Sequence, residues 1–132
     1  MNIFKILCYV IGVGQLALGA IYLFMPQAFI AWQGLSAIGP DIGYPFSMLA
    51  GRFIVYGVGM FVIAKDPEKN RFWLYGMIAI QAIDLAGGLF YTLSGIVAIE
   101  HSGFPMFNAT WIMVGLFLLR NSTNKSAKFQ AE

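Results

Sequence analysis

The chain reads as an all-α integral membrane protein: a four-helix bundle with both termini in the cytoplasm and a short interfacial segment between its first two helices. Composition, four apolar runs of spanning length and a lopsided distribution of cations lead there. Of 132 residues, 59% are hydrophobic and only 11% charged, against about 45–50% and about 25% in soluble domains. A soluble fold of this size cannot cover that much apolar surface, whereas a bilayer can. The net charge of +2 and the lack of a basic stripe with interleaved aromatics argue against nucleic acid as a partner.

A membrane-crossing helix needs about 20 mostly apolar residues. The first run extends from about Ile3 to Met25, where Pro26 ends it. It begins like a secretory leader, with Lys5 ahead of an apolar stretch and small residues at Ala17 and Gly19. The run continues through Ile21-Tyr22-Leu23-Phe24-Met25, past any such cleavage point, so a span is expected. The second runs from about Phe46 to Ala64, between Pro45 and the polar stretch Lys65-Asp66-Pro67-Glu68-Lys69-Asn70. There Asp66 suits an N-cap and Pro67 a first helical position, so the third helix starts at the surface and spans about Arg71 to Ser94. The fourth and shortest starts near Phe104 or Met106 and ends at Arg120. Between the first two spans, Gln27 to Gln33 forms an amphiphilic interfacial turn, and Gly34, Gly39, Pro40, Gly43 and Pro45 punctuate the irregular chain after it. Residues 121–132 form a polar tail.

The cations set the orientation. Lys5, Lys65, Lys69, Arg71, Arg120, Lys125 and Lys128 fall at the N-terminus, in the middle loop or at the C-terminus, and the other two loops hold no Lys or Arg. The positive-inside rule therefore puts both termini in the cytoplasm, with Trp32 and Trp73 near opposite interfaces. Membrane lipids are the expected surroundings.

Two charges stand inside the spans, Arg52 in the second and Asp84 in the third. An unpaired charge at mid-bilayer costs about 2.5–3.5 kcal/mol on insertion scales, so such residues turn inward and find partners. At 1.5 Å per residue, Arg52 lies about 4 Å to the outer side of its helix midpoint and Asp84 within about 2 Å of its own. Neighbouring antiparallel helices then bring them level, and an Arg52–Asp84 ion pair is expected. By helical periodicity Gln81, Asp84, Gly88, Tyr91 and Gly95 share one stripe, Arg52, Tyr56 and Gly59 another, and Cys8, Gly12, Gln15, Gly19 and Tyr22 a third. Gln15, Gln81 and, on the fourth helix, Asn108 are the polar groups that can join the pair between helices. Tyr22 and Tyr91 lie toward the outer end of the inward faces.

The step Gly19-Ala20-Ile21-Tyr22-Leu23-Phe24-Met25-Pro26, followed by Gly51-Arg52-Phe53 in the second span, resembles the small bacterial four-span proteins of the BphX-like family and, more distantly, the DoxX-like family. In both, the first helix ends in a similar aromatic-proline step and an arginine near the start of the second is common. The resemblance implies a bacterial inner-membrane protein and no particular activity.

Several chemistries lack their residues. A single cysteine, Cys8, forms no intrachain disulfide or dithiol, and a single histidine, His101, builds no bis-histidine haem site within one chain. Glu100 with His101, read as loop residues, fall short of a closed zinc site. Seven methionines follow no repeated metal-binding spacing and read as packing. Small multidrug exporters rely on a carboxylate in the first helix, where this chain has Gln15. No cofactor, metal or catalytic activity is expected. Two readings stay open: an accessory or assembly subunit of a larger membrane complex, or of its own homo-oligomer, and a binder or transporter of a small amphiphile. In the second, Arg52 binds a carboxylate, phosphate or quinone-like oxygen, Asp84 holds Arg52, and Tyr22, Tyr91 and Asn108 line the cavity.

Overall fold

The structure, a computed structural model, describes residues 2–37 and 39–121. They form an all-helical bundle of four long helices, α1 (Ile3–Phe24), α3 (Gly43–Lys65), α4 (Arg71–Leu93) and α5 (Ile99–Leu119), with a short α2 (Pro26–Trp32) between the first two. A single 3₁₀ turn, Pro40–Ile42, leads into α3. Each long helix is long and apolar enough to cross a membrane, the mark of a multi-pass membrane protein. The sequence-expected tail lies outside the described residues except for Asn121, and with it Lys125 and Lys128.

Local chemistry accounts for several helix ends. The Asn2 side chain accepts the Phe4 backbone N–H at 3.0 Å and so opens α1. At the ends of α2 and α4, Gly34 (φ +72°) and Gly95 (φ +71°) take the left-handed conformation that glycine adopts without steric cost. Leu35 N–H then reaches Ile30 C=O, and Ile96 N–H reaches Tyr91 C=O, closing Schellman turns over the last carbonyls. Asp66 accepts the Lys69 N–H at 3.1 Å and so caps the connecting turn, but α4 itself begins only at Arg71, after Asn70.

The largest departure from the sequence reading is in α5. It begins at Ile99, five residues before Phe104, and Pro105 lies inside it. Proline lacks the N–H that would bond the carbonyl four residues back, so α5 forgoes one bond, to His101, and continues. Glu100 and His101 are therefore first-turn helical residues, and the short fourth span is a helix of ordinary length. In the same way α3 begins at Gly43, ahead of Pro45, which stands in its first turn.

The helices pack as two antiparallel pairs, α1 with α3 and α4 with α5, and contact between the pairs is sparse. Glycine decides how closely α1 and α3 approach. A Cβ at Gly12 would lie 3.0 Å from the Gly57 carbonyl oxygen, and one at Gly19 would lie 3.3 Å from that of Ala50. The similar segments Ile11-Gly12-Val13-Gly14 and Tyr56-Gly57-Val58-Gly59 thus meet backbone to backbone. In lipid, where apolar burial drives little association, such close packing is what holds helices together.

One end of the bundle carries Lys5, Lys65, Lys69, Arg71 and Arg120, and we call it the basic end; the other, bearing α2 and the α4–α5 turn, we call the mouth. The buried core occupies the basic half, where Phe4, Cys8, Ile11, Met60, Ile63, Leu74, Met77, Ile112 and Leu116 interlock.

Gly12 and Gly14 should therefore respond to substitution in opposite ways. Gly12→Leu forces side-chain atoms against the α3 backbone and should destabilise the fold by about 1–3 kcal/mol. At Gly14 an added Cβ meets nothing within 4 Å, so Gly14→Leu should hold or raise stability. Thermal unfolding in mild detergent checks both.

Candidate ligand-binding site

A polar layer divides the bundle. Gln15, Arg52, Asp84 and Asn108 each stand nine residues from the mouth end of their helix, counted from Phe24, Gly43, Leu93 and Ile99 respectively. At 1.5 Å per residue that is about 13 Å into the bundle. Every residue of the interlocked core lies on the basic side of this layer. On the mouth side the helices leave a cavity of about 390 Å³, within the usual range of small-molecule sites, about 300–1,000 Å³.

Side-chain volume explains the division. On the basic side, α4 and α5 present Leu74, Met77, Ile112 and Leu116 to the core. On the mouth side they present the small Gly87, Gly88, Ser102 and Pro105 between the bulkier Tyr91, His101, Phe104 and Met106, all of which line the cavity. Gly88 lets α5 come close, since a Cβ there would lie 2.5 Å from Met106 Cγ.

Arg52 and Asp84 form the layer's strongest contact. Nη1 donates to Oδ1 at 3.2 Å and Nη2 to Oδ2 at 3.1 Å, a fork-to-fork geometry that favours arginine over lysine. The pair ties α3 to α4, and so joins the two helix pairs across their sparse interface. Both side chains remain about a third exposed, 31% and 35%, and both line the cavity. Arg52 Nε is buried without a hydrogen-bond partner, and the guanidinium lies 4.9 Å from the Phe53 ring centroid.

All seven residues singled out from the sequence, Gln15, Tyr22, Arg52, Gln81, Asp84, Tyr91 and Asn108, line this one cavity. They do not form one hydrogen-bonded network. Gln81, 2% exposed, donates to the Met77 sulfur on its own helix. Asn108 Oδ1 accepts the Trp111 indole N–H at 3.0 Å, also within its helix. Tyr91 is half exposed. Tyr22 is the centre of an aromatic wall, with its ring centroid 4.9 Å from Phe29, 5.1 Å from Phe46 and 5.3 Å from Phe53.

The segment read from sequence as an amphiphilic turn followed by irregular chain forms the roof. Phe29, Gln33 and Leu35, from α2 and the turn after it, line the cavity. Trp32 meets Phe104 of α5 edge to face at 5.9 Å, and a Cβ at Gly34 would lie 2.7 Å from the His101 ring. The segment therefore bridges from α1 to α5 over the opening. His101 and Ser102 also line the cavity, and Ser102 shares a 2.7 Å hydroxyl contact with Thr92. The seven-residue spacing from His101 to Asn108, which puts both on one helical face, was a usable signal, hidden by starting the helix at Phe104.

Removing either member of the Arg52–Asp84 pair should strip its partner of compensation, which costs about 3–5 kcal/mol for a fully buried pair and less here, given the exposure. Arg52→Met and Asp84→Leu should each lower folded yield, while the double variant recovers most of it. A double-mutant cycle in detergent reads the coupling, and additive losses would show the pair is not energetically joined.

No protein-family model matches the chain, and neither does any curated protein or solved structure.

Proposed function

We propose that this multi-pass membrane protein is a non-enzymatic binder of a small amphiphilic molecule, held with its polar group on the Arg52–Asp84 layer and its apolar body against the aromatic wall. The observation that carries this is the placement of a forked, partly exposed ion pair on the lining of a cavity whose walls include the apolar Leu18, Phe29, Leu49 and Phe53. A fastener alone needs no space beside it. Apolar walls with a few convergent polar groups are the usual makeup of small-molecule sites.

The distribution of cations supports both termini being cytoplasmic, and the resemblance to BphX-like proteins implies a bacterial inner membrane. The cavity then opens toward the outer leaflet and the periplasm. A second reading, an accessory subunit of a larger membrane complex, is favoured by one observation. Gly14, Gly51 and Gly59 face open space, with nothing within 4 Å of an added Cβ, and small residues let another helix approach closely.

Gly87 offers a clean test of binding, because it lines the cavity and an added Cβ there meets nothing within 4 Å. Gly87→Trp should remain folded but lose the small molecule that native mass spectrometry detects on the unaltered protein. Equal occupancy in both would refute the cavity reading. For topology, Ser36→Cys should react with a membrane-impermeant thiol reagent added from the periplasmic side. Cys8 is fully buried and serves as the unreactive control, and labelling of Ser36→Cys only from the cytoplasmic side would reverse the orientation.

A further inference from the structure

Resting on the reading of this cavity as a binding site, we infer that its occupant carries an uncharged head group that both donates and accepts hydrogen bonds. A primary alcohol, a phenol or a carboxamide meets that description; a carboxylate or phosphate does not.

The pairing geometry carries the inference. A lone arginine in an apolar cavity would attract an anion. Here both terminal nitrogens of Arg52 already bond Asp84, at 3.2 and 3.1 Å, and the two charges cancel. Guanidinium has five N–H donors. Two are engaged by Asp84 and the Nε–H is buried, which leaves one on each terminal nitrogen. The carboxylate has about four lone-pair sites, of which the pair uses two. The layer thus presents unused donors and unused acceptors side by side, at no net charge, and its other members, Gln15 and Asn108, are neutral amides.

An anionic head meets this surface badly. It must either pull Arg52 from Asp84, leaving the carboxylate uncompensated, or enter the layer as an extra negative charge, because among the described lining residues the other group able to carry a positive charge, His101, stands seven residues nearer the mouth than Asn108. A hydroxyl or amide does neither, and it matches donor to acceptor in both directions. Size narrows the class further. The cavity of about 390 Å³ stands near the lower end of the about 300–1,000 Å³ usual for small-molecule sites, which suits a single medium-length chain or one substituted ring.

The test compares probes of one chain length, 1-decanol, decanamide and decanoate, on the full-length protein in lipid nanodiscs. At about pH 8.5 the free acid is ionised. Native mass spectrometry should show decanol and decanamide bound at least about tenfold more tightly than decanoate. In Asp84→Asn, which keeps the side chain's shape and frees Arg52, the order should reverse. If the unaltered protein prefers decanoate, the neutral-head inference is overturned while the binding reading stands. If no probe binds, both fall. Should Asp84→Asn fail to fold, the preference of the unaltered protein still decides.

Discussion

A charge placed halfway along an apolar helix must find an opposite charge or reach water, and this chain arranges both for Arg52 and Asp84. Their forked contact spans the one direction in which the bundle is weakly held, between the α1–α3 pair and the α4–α5 pair. Glycine contacts hold each pair internally, but glycine makes no such contact between the pairs at mid-depth. The ion pair therefore joins α3 to α4 at the layer, while Tyr56 against Gly76 and Trp73 joins them nearer the basic end. Because the two side chains are only partly covered, the same contact that joins the pairs also gives the cavity its polar lining.

The division between packed and hollow halves follows from side-chain size along two helices. α1 and α3 approach so closely, through Gly12, Gly57 and Gly19, that they act as a single wall. Partway up α4 and α5, small residues, Gly87, Gly88 and Ser102, enter the inward face between bulkier ones. A protein interior filled to ordinary density tolerates few voids, so a gap of this size marks a place where the sequence withholds bulk. Phe29, Phe46 and Phe53 gather around Tyr22 at its edge and keep the wall rigid, while α2 lies across the top.

Much of this is legible from sequence because membranes restrict the options. Four apolar runs and one-sided cations need no tertiary information, and a charge in each of two antiparallel spans, at matching depth, almost requires their pairing. The stripe carrying Gln81, Asp84 and Tyr91 follows from helical periodicity alone. The missed features depend on context that periodicity does not carry. Pro105 looks like a boundary because proline removes a hydrogen bond, yet a helix with enough neighbouring turns runs past it, and that extension turned Glu100 and His101 from loop residues into helical ones. Likewise Gln27 to Gln33 is readable as an amphiphilic turn, but its seat against His101 and Phe104 comes from chain connectivity folding it back over the bundle. Gln15, Gln81 and Asn108 share a cavity without sharing hydrogen bonds, because each amide's nearest partners are set by local side-chain direction.

The packed core beneath the polar layer bears on how far the cavity reaches. Inward from the mouth the cavity reaches Arg52 and Asp84, and beyond them Met60, Met77, Ile112 and Leu116 are buried and interlocked. In this conformation the bundle is a well with a floor, not a pipe: what enters leaves by the way it came. Passage to the other side would require the basic half to repack, separating the phenylalanine, methionine and leucine side chains that hold the two pairs together there.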